Sequence, residues 1–175
     1  MHATNVLAAQ HRAIAALFES VEREVELYAR EGAVGRLAEE LIAHMAGEET
    51  VFYPALRRIL GSDEQATARA YDEHVTLRLQ LRRVLAGSLE DAAFDARIAA
   101  LRSIFERHVL EEETRLFPHV ERALQKVDQE VLGAQILACR PPIWMVTTER
   151  AAARRAGTSV HVASRVSLPI PAARG

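Results

Sequence analysis

Along most of the chain, positions that should face a core recur at alternating steps of four and three. The first run is Leu7, His11, Ile14, Phe18, Val21, Val25 and Tyr28. It predicts one buried stripe on a helix ending near Glu31-Gly32, glycine being a common helix stop. A second stripe after Gly35 is Leu37, Leu41, His44, Glu48, Val51 and Ala55, with an end near Gly61. The third helix is expected to open at Ser62, an N-cap with Gln65 placed for a capping box. Its stripe is Thr67, Tyr71, His74, Leu77, Leu81 and Val84, closing at Gly87. The fourth runs from about Asp91 through Phe94, Ile98, Leu101, Phe105, His108, Glu112 and Leu116 to about Lys126. A short fifth helix, capped by Asp128, covers Gln129 to Cys139.

No useful strand-like alternation interrupts these stripes. The expected fold is all-α: an up-down-up-down four-helix bundle over residues 1–139, with a short fifth helix and an irregular C-terminal tail. Composition agrees, with 49% apolar, 26% charged and only 5% aromatic residues in 175. The net charge of −2 divides into −7 on residues 1–139 and +5 on residues 140–175, a tail with six Arg and one Glu. Pro141-Pro142 stops helix there. The tail fits a mobile extension, or a basic arm for a partner that the sequence does not identify. Neither the overall charge nor any apolar stretch makes a case for nucleic acid or a membrane. A single cysteine, Cys139, and an N-terminus without a basic start and apolar run point to a cytoplasmic protein.

Four of the seven histidines fall on the buried stripes, in two segments that repeat. His44, Glu48, Glu49, Thr50, Tyr53 and Pro54 recur 64 residues later as His108, Glu112, Glu113, Thr114, Phe117 and Pro118; His11 and His74 lie 63 apart. Residues four apart share a helix face, so His44 projects beside Glu48 and His108 beside Glu112. Burying an unpaired carboxylate costs several kcal/mol, and two are buried here beside four imidazoles. A metal offsets that cost, and mixed imidazole–carboxylate ligation suits iron, manganese or zinc. With both carboxylates bridging, His11, His44, Glu48, His74, His108 and Glu112 give each of two metals two nitrogens and two oxygens, and an open position for a small molecule. Helix lengths bring Glu48, His74 and His108 level, whereas a turn at Glu31-Gly32 leaves His11 about 10 Å out of step with His44.

The remaining polar positions have plainer readings. Glu49, Glu111 and Glu113 are expected on solvated faces, with Glu49 or Glu113 as a spare ligand. Pro54 and Pro118 should kink their helices just past the site. Tyr71, one turn before His74, is core filler or a donor to the ligands. His2, His119 and His161 fall outside the pattern and are expected to be exposed.

At His11-Arg-Ala-Ile, His44-x-x-x-Glu48-Glu with Tyr53-Pro54, Glu73-His74, and His108-x-x-x-Glu112-Glu with Phe117-Pro118, the chain resembles the hemerythrin HHE cation-binding family. The resemblance spans about residues 5–139. It implies a bundle holding a bridged, non-haem di-iron centre on the six residues above, and a protein that binds or senses O2, NO or a related molecule, or handles iron. The oxygen-carrying members have a further histidine one turn after the third-helix ligand; here that position is Arg78. The fourth helix also has Glu at i+4 rather than Asp at i+5. These departures imply a more open metal pair and argue against reversible oxygen carriage. Three functions follow: a ligand-binding di-iron module, a di-iron redox enzyme acting on peroxide, NO or Fe(II), or a metal-free helical interaction module.

Overall fold

The computed structural model describes residues 1–60 and 64–139. The expected helix end at Gly61, the cap at Ser62, His161 and the whole tail from Arg140 lie outside these residues. Helix α1 is Ala3–Arg23 and α2 is Leu27–Gly47, continued by a π-helical turn at Glu48–Phe52 and α3 at Tyr53–Leu60. Helix α4 is Glu64–Ala86, and α5 is Phe94–Glu111. A second π turn at Glu112–Leu116 leads into α6, Phe117–Ala123, and α7 is Lys126–Ala138. Helix α1 packs on α2, α4 on α5, and α7 lies against α1, so the four-helix bundle with a short extra helix is correct.

The first turn is not where glycine suggested. Glu24 and Glu26 are extended, the chain reverses there, and Gly32 and Gly35 lie inside α2. Each glycine costs a helix about 1 kcal/mol relative to alanine. Burial of Ala33, Val34, Leu37 and Ala38 along the same helix outweighs that. Arg30 fixes the turn: its Nε donates to the carbonyl of Val21 at the end of α1, and its guanidinium pairs with Asp95. Val25 and Tyr28, expected in the core, are consequently 90% and 91% exposed. The earlier turn shortens the run out from His11 and lengthens the run back to His44. Side chains lean toward helix N-termini, which carries His11 away from the turn and His44 back toward it. The expected mismatch disappears.

Both prolines sit in the first turn after a π turn, where a missing N–H costs least. What the sequence suggested as simple kinks are therefore changes of register. The N–H of Tyr53 reaches back five residues to the carbonyl of Glu48, and that of Phe117 to Glu112. Thr50 and Thr114 donate their hydroxyls to the carbonyls of Ala46 and Leu110, at the point where each helix widens. A π turn is a one-residue insertion in an α-helix. The buried stripe after Glu48 thus moves from Val51 and Ala55 to Phe52, Tyr53 and Leu56.

Asp128 is not the cap of α7: the helix starts at Lys126 after Gln125, and Asp128 lies in its first turn, where its charge faces the helix N-terminus. His119 is exposed as expected, whereas His2 is partly buried. The apolar core forms two clusters. One holds Ile14, Phe18, Leu37, Leu41, Leu77, Leu81, Leu101 and Phe105; the other holds Leu7, Phe52, Tyr53, Leu56, Leu116, Phe117 and Val120. Between them lies a single polar layer.

Candidate metal centre

That layer consists of His11, His44, Glu48, His74, His108 and Glu112, none more than 3% exposed. Each stands on a core stripe between apolar residues of the two clusters, so the helices that bury the core also aim these groups inward. All four imidazoles present Nε2 to the centre. His11 Nε2 lies 3.3 Å from Glu112 Oε2, and His44 and His74 Nε2 each lie 3.2 Å from Glu48 Oε2. His108 Nε2 is 3.6 Å from Glu112 Oε2 and 3.7 Å from Glu48 Oε2. Two ligand-type clusters result: His11, His44, Glu48 and Glu112, and Glu48, His74 and His108. Glu48 belongs to both; Glu112 belongs to the first.

The outward nitrogens are held as consistently. His11 Nδ1 meets Glu113 at 2.8 Å and His74 Nδ1 meets Glu49 at 2.8 Å, each from the other repeat. His44 Nδ1 meets Gln10 at 3.0 Å and His108 Nδ1 meets Glu73 at 3.1 Å, each from its own repeat. Partners of this kind fix ring orientation and raise imidazole basicity. Glu113 is exposed as expected, yet holds His11; Glu49, also expected on a solvated face, is only 23% exposed, and both support the ring orientation of the site. Gln10 escaped the sequence reading, and Glu73 entered it only as part of the Glu73-His74 motif without a role, although each immediately precedes a ligand-type histidine in its repeat. Arg78, at the place of the further histidine, turns to Glu49 Oε2 at 2.8 Å.

Tyr53 also belongs here. Fully buried, its hydroxyl donates to Glu112 Oε1 at 2.8 Å and lies 3.1 Å from His74 Nε2. Tyr71, expected as core filler or as a donor to the ligands, packs its ring on Tyr53 beside the apolar cluster and donates to the backbone carbonyl of Glu49 at 3.3 Å, not to a ligand. Tyr53 was off the α-helical stripe by sequence; the π turn brings it in. Its counterpart Phe117 stacks on His11, with ring planes 10° apart, and Phe105 lies edge-on beneath His11 and His44.

Charges in this layer are strongly coupled. Burial opposes protonation of His11 and His108, but the Glu112 and Glu48 carboxylates outweigh it and push both up to about 10. His74 is also raised, by Glu48 and Glu49 against its burial. His44 goes the other way, to about 3, because burial and the neighbouring imidazoles exceed the pull of Glu48. Burial alone would raise Glu48, yet the surrounding histidines hold it well below the carboxylate range; Glu112 is raised by burial and by Glu48. Even so, His11 Nε2, His44 Nε2, both oxygens of Glu48 and Glu112 Oε2 are buried without a hydrogen-bond partner. Orphaned donors and acceptors facing one point are what a bound cation satisfies, so the residues fit a metal.

Fold and site together define a helical-bundle metal-binding protein. Residues 2–120 match the hemerythrin HHE cation binding domain, and the chain belongs to that family. A hemerythrin HHE cation binding domain-containing protein from Mycobacterium kansasii has the same fold, with a TM-score of 0.70 at 23% identity over 87% of this chain and 89% of that one. A DNA nickase from Nostoc sp. is 26% identical over 143 residues, 82% of this chain. The aligned part covers 40% of that relative. No described helix is long and apolar enough to cross a membrane.

Proposed function

We propose that the layer holds two iron ions as a bridged, non-haem centre, and that the protein is a cytoplasmic module binding O2, NO or a related small molecule. The carrying observation is the convergence of five orphaned buried atoms from His11, His44, Glu48 and Glu112. With His74 and His108, these supply four nitrogens and two carboxylates. Bound iron supplies an open coordination position and one-electron redox chemistry. The chain's own part is to orient and to shield. Glu113, Gln10, Glu49 and Glu73 lock the rings, Phe105 and Phe117 cover the His11 and His44 side, and the two apolar clusters keep bulk water off the layer.

Metal analysis of the purified chain tests this reading. Two irons per chain are expected, falling sharply in His44→Ala and Glu112→Ala; near-zero metal in the parent sinks it. Anaerobic ferrous protein should then change its absorption once on exposure to O2 or NO. Turnover is the second reading, favoured by Arg78, which binds Glu49 where oxygen-carrying members have a further histidine. Repeated consumption of peroxide, NO or Fe(II), rather than one stoichiometric event, would establish it.

A further inference from the structure

Away from the metal centre, three depressions follow one another along the outer side of α1 and α2 and over the end of the bundle. The first, about 630 Å³, has Ala13, Ala16 and Leu17 of α1 on one wall and Arg36, Glu39 and Glu40 of α2 on the other. The second, about 510 Å³, shares Arg36 and Glu39 with it and runs to Glu24, Tyr28 and Glu31. The third, about 590 Å³, shares Tyr28 and Glu31 with the second and ends on Leu89, Glu90 and Phe94. They make one continuous trough. Among its described lining residues five are glutamates, and Arg36 alone is basic. We propose that the trough is the docking surface for the chain's own basic segment, residues 140–155. Ile143-Trp144-Met145-Val146 would lie beside Ala13, Ala16 and Leu17, with Arg150, Arg154 and Arg155 among the glutamates.

The place where α7 ends and the lengths of chain involved fit this occupant. Helix α7 packs on α1 and on the first π turn, and the sulfur of Cys139 rests 3.2 Å from the Thr50 hydroxyl. Residues 140 onward therefore leave the bundle beside α2. Thr50, Ala46, Ala43 and Glu39 follow one another at helical spacing down that side, so only alanines separate Cys139 from the trough on this stripe. Glu40 lies about 15 Å and Glu31 about 29 Å along α2 from Thr50, at 1.5 Å per residue. An extended chain advances about 3.3 Å per residue, which carries Trp144 about 16 Å and Arg150 about 36 Å from Cys139. Trp144 thus comes level with the apolar wall and Arg150 reaches the acidic stretch beyond it.

The chemistry matches as well as the reach. Residues 140–155 carry four Arg and one Glu, against a trough lined mainly by glutamate. Tyr28, 91% exposed where the second and third depressions meet, offers a ring face to a guanidinium. Each exposed ion pair is weak by itself. A tethered segment, however, meets its site at an effective concentration on the order of millimolar, so several weak contacts suffice.

Trp144 is the chain's only tryptophan, so its fluorescence reports the docking directly on the full chain as purified. In the parent its emission should be blue-shifted and shielded from acrylamide. Both features should be lost when Glu24→Lys and Glu39→Lys are combined, with the helical circular dichroism unchanged. Arg150→Glu, Arg154→Glu and Arg155→Glu together should release the tryptophan likewise, and joining the two sets should restore the shielding. A parent tryptophan quenched like the free amino acid overturns the proposal, as does shielding that survives either charge reversal or fails to return when the two are joined. Shielding lost on dilution also overturns it, and assigns the segment to the trough of a second copy of the chain.

Discussion

His11 and Glu113 are 102 residues apart in the chain, yet Nδ1 of the histidine meets the carboxylate at 2.8 Å. The glutamate touches none of the inward-facing nitrogens; it acts on the centre through the ring it holds. Glu113→Ala should therefore weaken metal binding by about 10- to 100-fold while leaving the helical signal unchanged. Chelator competition followed by absorption checks it. Glu113→Gln, which keeps an acceptor oxygen, should recover much of the loss.

Metal uptake should release protons. His11 and His108 are pushed up to about 10, so both are charged in the metal-free protein at pH 7, whereas His44 at about 3 is neutral; His74 is raised by Glu48 and Glu49. Ligation needs neutral imidazole, so filling both positions should expel at least the protons of His11 and His108, and affinity should climb from neutral pH toward pH 10. Calorimetric titrations in buffers of different ionisation enthalpy give the count. The sign for stability is opposite. A raised histidine stabilises the metal-free fold fully below its ordinary 6.5, and that contribution is lost as the pH rises through about 10.

The π turns lend themselves to deletion. Removing Val51 takes out the one extra residue, so Tyr53 and Leu56 fall on the ordinary α-helical continuation of Glu48. That variant should fold with parental helicity and retain metal. Removing Ala43 instead, one residue before His44 within α2, rotates everything beyond it by about 100° and should abolish both. Circular dichroism and metal content separate the two outcomes.

Phe105 ties the apolar core to the polar layer, packing on Phe18 as well as on His11 and His44. Phe105→Ala should cost about 3–5 kcal/mol of stability, measurable by urea unfolding of the metal-free chain. Loosened rings should also weaken metal binding, a consequence that a core substitution remote from the layer, such as Val84→Ala, should not share.

The inward-facing six were legible in the sequence because histidine and glutamate on an apolar stripe violate the pattern, and because the violation occurs twice. The outer acceptors were not, because Glu49 and Glu113 sit one residue beyond a buried glutamate, where the helical period assigns a solvated face. Tyr53 was hidden for a different reason. Apolar residues at Val51, Phe52, Tyr53, Ala55 and Leu56 leave the phase of the stripe undetermined, and hydrophobicity alone cannot register a π insertion. The first turn failed on glycine: Gly32 and Gly35 tolerate helix when their neighbours are buried, and what ends α1 is a contact from Arg30 to Val21.

The crossing of outer contacts between repeats has a consequence for how such a site can arise. His11 takes its acceptor from the second repeat and His74 takes its own from the first, while Glu48 joins both clusters. Neither hairpin alone contains a finished centre. Two copies of one hairpin related by a two-fold axis would contain nearly all of it, since a symmetric dimer supplies every crossing contact twice. Joining the copies in one chain frees each position to change by itself. Tyr53 opposite Phe117, Gln10 opposite Glu73 and Arg78 opposite Ala15 are differences that only the fused form can hold.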